Sequence, residues 1–155
     1  MDVGQIAAAV VIALSPFTPY LIDTGKAAGK KLAETIAQKG GEATWKTAQS
    51  LWAKITAHFG NDPVVKSAAT MVADKPEDET RQTMLAEVLG ARLKENPALA
   101  EELLNLLGGQ RAVQQVLADH SSWVEDVTQR MKGSGTQTVK ASQDSVIKGV
   151  RQIKR

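Results

Sequence analysis

The chain contains no cysteine. That excludes a disulfide framework and any thiol chemistry, and it fits a reducing compartment. Aromatic residues make up only 4% of the sequence, which points away from a β-sandwich and towards close packing of small, Ala-rich helices. Histidine occurs twice, as His58 and His120, and neither has a metal-ligand neighbour three or four residues away. No Walker pattern, Gly-x-Ser-x-Gly elbow or zinc spacing is present. No βαβ alternation appears, and between Met1 and Lys132 no run shows period-two alternation. The last absence is the most informative. From Val3 to Ile22, 20 residues, there is no charged side chain, with Asp2 before the run and Asp23 after it.

Roughly 20 apolar residues are what a helix needs to cross a bilayer. Gln5 to Leu14 is apolar on all sides, so no face is reserved for water. Ser15-Pro16 and Thr18-Pro19 then interrupt the run. Proline is disfavoured inside a helix but suits the first helical position after a Ser or Thr cap. The pattern predicts a short helix from about Val3 to Leu14, a kink, and a second helix starting near Pro19. At about 1.5 Å per residue the first helix alone is too short to span. Two roles stay open for it: a buried core helix or interfacial anchor, and a segment that inserts into membrane, alone or on assembly. A cleaved signal peptide fits poorly, because no Lys or Arg precedes the apolar stretch.

A hydrophobic content of 43% in 155 residues allows one domain with a sizeable core and a tail. Helical spacing recurs along the middle. Trp45, Ala48, Trp52, Ile55 and Phe59 share one face of a helix over Glu42 to Phe59. Asp62-Pro63 opens another, to about Ala73. Pro76-Glu77-Asp78-Glu79 opens the next, with three acids expected in its first turn. It runs to about Lys94 with Met84, Leu85, Val88, Leu89 and Leu93 inward. Asn96-Pro97 starts a helix through Leu99, Leu103 and Leu106 that stops at Gly108-Gly109. A last helix is expected from about Gln110 to Met131, with Val113, Val116, His120, Val124, Val127 and Met131 on one stripe. The fold expected is all-α: a small helical bundle over 1–131 with an apolar N-terminal segment at 3–22.

The middle offers little chemistry. Each histidine sits on or beside an apolar stripe, where a structural role is the plainer reading. Glu77-Asp78-Glu79 and Glu101-Glu102 are explained as first-turn acids on helices. Gly40-Gly41 and Gly108-Gly109 read as helix stops, not phosphate loops. Trp45, Trp52 and Trp123 read as core or rim rather than base-stacking platforms. No acid–base or nucleophile constellation is evident, so an enzyme is not expected, and neither is a metal or other cofactor.

The tail changes character. From Met1 to Met131 there are 13 Lys and Arg against 16 Asp and Glu, net −3. From Lys132 to Arg155 there are 6 against 1, net +5. Lys132-Gly133-Ser134-Gly135 reads as a flexible linker over 132–135. Residues 136–155 are rich in β-branched side chains and divide into two short arms around Ser142-Gln143-Asp144-Ser145. Such short strands are not stable alone in water. Stacked with copies of themselves, each backbone group would pair with the chain above, and Gln137, Gln143 and Gln152 would form amide ladders. The six cations oppose stacking. In an isolated monomer the tail reads as disordered. A nucleic-acid arm would use Lys140, Lys148, Arg151, Lys154 and Arg155. Those cations are dispersed, however, and no aromatic lies among them to stack on a base. Anionic lipid is also open to them.

Both ends together resemble the bacterial Bell-domain proteins. These are analogues of the fungal HeLo and HeLo-like cell-death domains and are related in logic to the necroptosis executioner pseudokinase. The stretches that carry the resemblance are Gln5 to Leu14 with its Ser15-Pro16 end, Gly133-Ser-Gly-Thr-Gln-Thr-Val-Lys-Ala-Ser, Asp144-Ser-Val-Ile and Val150-Arg-Gln152. The tail is similar to bacterial amyloid signalling motifs. The residues matched to such a motif are Gln137, Val139, Ala141, Gln143, Ser145, Val146, Ile147, Gly149, Val150 and Gln152. Gln143 departs from the pattern, since these motifs often place Gly at the turn.

The resemblance implies a cytoplasmic effector that moves to the inner membrane on activation. An upstream nucleotide-binding receptor carrying a matching amyloid motif would oligomerise on detecting a threat such as phage and template the tails. Homo-oligomers or fibrils would then form, and the N-terminal helix would permeabilise the membrane, whose lipids are expected to be anionic. The insertion residues would be Val3, Ile6, Val10, Val11, Ile12 and Leu14. No nucleic acid is expected as a partner. The competing reading is a soluble helical adaptor whose basic tail binds nucleic acid or an acidic partner. A holin is a third, but a holin would usually show a full uninterrupted span.

Overall fold

Proline and glycine punctuate the chain where its helices begin and end. The computed structural model describes residues 2–22 and 29–140, with side chains of the last helix described through Arg130. Among the described residues every regular element is helical, as the sequence pattern leads one to expect. The order is α1 (Val3–Leu14), a single 3₁₀ turn (Ser15–Phe17), α2 (Thr18–Ile22), α3 (Lys30–Gln38), α4 (Glu42–Phe59), α5 (Pro63–Asp74), α6 (Glu79–Lys94), α7 (Pro97–Leu106), α8 (Gln110–Asp119) and α9 (Ser121–Lys140).

Local chemistry sets these boundaries. Asp62 accepts from the amides of Val64 and Val65, with Pro63 at the first helical position of α5. Asp78 accepts from Thr80 and Arg81 and is therefore the cap of α6. Only Glu79 of the acidic run lies in the first turn, where three acids were expected, and Glu101 and Glu102, also expected in a first turn, lie beyond the first turn of α7. Asn96 caps α7 through Leu99. Two double-glycine stops close in the same way. The amide of Gly41 donates to the Ile36 carbonyl (2.7 Å), and that of Gly109 to the Leu104 carbonyl (3.0 Å). Both pairs have positive φ, which only glycine adopts readily.

Four features depart from the helical pattern read in the sequence. Helix α3 is an additional element, held by buried Leu32 and half-buried Ile36. The expected helix from Gln110 to Met131 breaks at His120, whose φ of −129° leaves the helical region. The break resets the helical phase. His120 is exposed rather than on the inner stripe, while Leu117 and Trp123 are buried. Beyond Met131, α9 runs on to Lys140, so 132–135, read as a flexible linker, are helical, as are 136–140. Met84, expected inward, is 41% exposed, because α6 turns Thr83, Leu85, Ala86, Leu89 and Leu93 inward.

The core is centred on α1. That helix packs most extensively on α6 and also touches α4, α7, α8 and α9. Antiparallel α5 and α6 are tied at one end by Arg92 and Asp62 (2.6 Å). At the other end Arg81 bonds the Met71 carbonyl and Asp74. Lys54 and Glu102 (2.6 Å) strap α4 to α7.

Candidate membrane-active segment

An uncharged helix packs in the middle of a bundle because every one of its faces gains from leaving water. Ala7, Ala8, Ala9, Val10 and Val11 are five consecutive residues with no solvent exposure. At 3.6 residues per turn they cover the full circumference of the helix. Ile6 and Leu14 are also buried, and Val3, Gln5, Ile12 and Ala13 are half-buried. The alanines let neighbouring helices approach closely, and Phe17, below the kink, meets Trp45 at 5.3 Å between ring centroids.

At the 3₁₀ turn below α1 two side-chain hydroxyls find local partners. Ser15 Oγ donates to the Val11 carbonyl at 2.6 Å, and Thr18 Oγ1 donates to the Ser15 carbonyl at 2.8 Å. Both residues are buried. Internal satisfaction is what a segment needs in any environment without water, whether protein core or lipid. Tyr20 has a partner outside the run, with its hydroxyl 3.3 Å from Thr35 Oγ1 of α3. Ser15 and Thr18, read in the sequence as helix caps ahead of the prolines, instead donate back to carbonyls of the preceding turn. Their signal is the hydroxyl placed immediately before each proline.

Burial has an energetic consequence. Ile6, Val10, Val11 and Leu14 contribute about 1.5–3 kcal/mol each as an upper estimate. Together they are worth on the order of 10 kcal/mol, comparable with the whole stability of a typical domain. Release of α1 therefore amounts to opening the bundle rather than swinging an arm aside.

The ends of the helices are also arranged. Pro16, Pro19 and Tyr20 line one open groove with Ala73 to Asp78, so the C-terminal end of α1 lies at the N-terminal end of α6. Helix α9 runs the same way as α6. Trp123 Nε1 donates to Thr83 Oγ1 at 3.1 Å, and further along Arg130 approaches Glu87 at 3.9 Å. The C-terminal end of α9 thus points to the end of the bundle where α1 begins.

Of the candidate insertion residues, Ile6, Val10, Val11 and Leu14 come together in the core, and Val3 and Ile12 sit at its margin. Of the candidate motif residues, Gln137 and Val139 lie in α9. Ala141, Gln143, Ser145, Val146, Ile147, Gly149, Val150 and Gln152 fall outside the described residues. Among the described residues no three His, Asp or Glu side chains gather in a metal-binding group. His120 Nδ1 lies 3.1 Å from the Val116 carbonyl, and His58 stands beside Phe59 at the end of α4. No protein-family model, curated protein or solved structure matches the chain.

Proposed function

We propose that this protein is a cell-death effector that permeabilises the cell membrane, kept inactive by burial of α1 and activated through its tail. The observation that carries the reading is the uncharged run Val3–Ile22, long enough by length and composition to span a bilayer, whose α1 part lies at the centre of the bundle. Its internally bonded kink removes one obstacle to lipid exposure. The trigger is an upstream nucleotide-binding receptor with a matching amyloid motif, in antiphage or allorecognition-type defence. Its motif templates 136–155, copies of the chain assemble, and the clustered bundles open on an anionic inner membrane. The direction of α9 supports this coupling, since force on the tail arrives where α1 begins. The work is done by assembly and insertion, with no catalysis, cofactor or nucleic acid.

A second reading is favoured by the same burial. A helix surrounded by its own bundle is also what an ordinary core helix looks like, and the protein would then be a soluble adaptor with a basic tail. The tail separates the two. A peptide of residues 133–155 should form β-rich fibrils that seed the full chain, and Val146→Pro or Ile147→Pro should block both, because proline removes a ladder donor. If the peptide stays monomeric and binds RNA with a steep salt dependence lost in K140Q/K148Q/R151Q, the adaptor replaces the effector.

A further inference from the structure

Helix α9 continues across Gly133 and Gly135 and through Thr136, Thr138 and Val139 to Lys140. Few residue types suit a helix less. Glycine in a helix interior loses the most backbone entropy, and β-branched residues lose χ1 freedom against the preceding turn. Thr and Val are, conversely, favoured in strands. Local preference thus opposes the observed structure over two turns of α9. Between Ser121 and Arg130 the residues Val124, Val127 and Thr128 are β-branched as well, but no glycine lies there and buried Trp123 and Val127 anchor the helix in the core. The first arm of the stacking motif, Thr136 to Lys140, lies inside this ill-suited stretch.

We infer that residues 132–140 are a helix-to-strand switch whose threshold is set by Gly133 and Gly135. The inference rests on the assembling tail proposed above. In the monomer the anchored part of α9 propagates helix into 132–140, because extending an existing helix is far easier than starting one. That helix withholds the first arm from cross-β pairing, leaving a single arm that is too short to assemble readily. Templating draws 136–140 out of the helix, and the two glycines keep the cost of melting it low. Each Gly→Ala change should favour the helical state by about fivefold, and the pair by about 20-fold. Both glycines lie ahead of the first arm, which begins at Thr136, so none of the matched residues from Gln137 onward is changed by their replacement.

The test uses the full chain with fibril seeds of the 136–155 peptide. G133A/G135A should raise the helical signal by circular dichroism and raise the concentration needed for seeded, thioflavin-positive assembly by up to about 20-fold. Ser134→Pro, which breaks the helix ahead of the first arm, should lower that concentration below the wild-type value. If the wild-type chain assembles and both variants assemble at the same concentration as it does, the switch is wrong while the signalling-amyloid reading stands. If the wild-type chain never assembles on seeds, there is no strand state to switch to, and both fall.

Discussion

Replacing Ile12 by lysine separates the membrane role of α1 from its structural role. Ile12 is half-buried at the margin of the core, not enclosed like Val10 and Val11. A lysine there can lay its stem along the bundle and keep its ammonium in water. The folded protein should therefore lose only part of the roughly 1.5–3 kcal/mol that isoleucine burial provides. At the centre of a bilayer the same lysine costs about 2.5–3.5 kcal/mol on insertion scales. That corresponds to about 70- to 400-fold less inserted helix at equilibrium. Ala9→Asp would be a poor choice, because Ala9 has no exposure and the carboxylate would be buried unpaired. The assay is dye release from anionic liposomes, with full-length Ile12→Lys assembled on tail-peptide fibrils. Circular dichroism must first show wild-type helicity, and thioflavin must show wild-type assembly. Given both, release should fall to background. Release at the wild-type rate would refute the reasoning, since α1 would not be the segment that enters lipid.

Asp62→Asn keeps a residue able to cap α5 but removes the ion pair to Arg92. The Arg92 hydrogen bond holds the Asp62 carboxyl below the usual range, opposed by burial and helped by the amides of Val65 and Val64. A carboxylate depressed in the folded state contributes stability above its unfolded pKa, and this is lost as pH falls through the folded value. The variant should thus have a lower urea midpoint at neutral pH, with the gap closing below about pH 4. A gap that does not change with pH would assign the loss to packing. Trp123→Phe removes the donor to buried Thr83 Oγ1. It should cost about 1–2 kcal/mol in urea denaturation, and an unchanged midpoint would mean that water replaces the indole. EDTA should leave Tm where it is, since no metal-binding group gathers among the described residues; a large drop would reveal a metal.

How much of this was legible depended on whether local or tertiary effects decide each feature. The capped starts at Pro63 and Pro97 and the double-glycine stops are written in adjacent residues, and the structure follows them. The α1 boundaries were equally readable from the apolar run and Ser15-Pro16. The position of α1 at the centre was not readable, because an all-round apolar helix suits core and lipid alike. The break at His120 was missed because stripe residues on either side of it sit at plausible helical spacings. Of helix α3 only the stop at Gly40-Gly41 is legible, because a nine-residue helix with Leu32 and Ile36 as its inward anchors leaves a faint pattern. The extension of α9 was missed for the opposite reason: propensity at Gly133 and Gly135 argues against helix, and continuity with an anchored helix overrides it.

The most direct test of the central claim is dye release from anionic liposomes mixed with the full-length protein, with and without fibrils of residues 133–155. A buried α1 released by tail templating predicts intact liposomes with soluble protein alone, intact liposomes with fibrils alone, and rapid release when the two are combined. Fibrils that seed assembly of the full-length protein while the liposomes stay intact would contradict it.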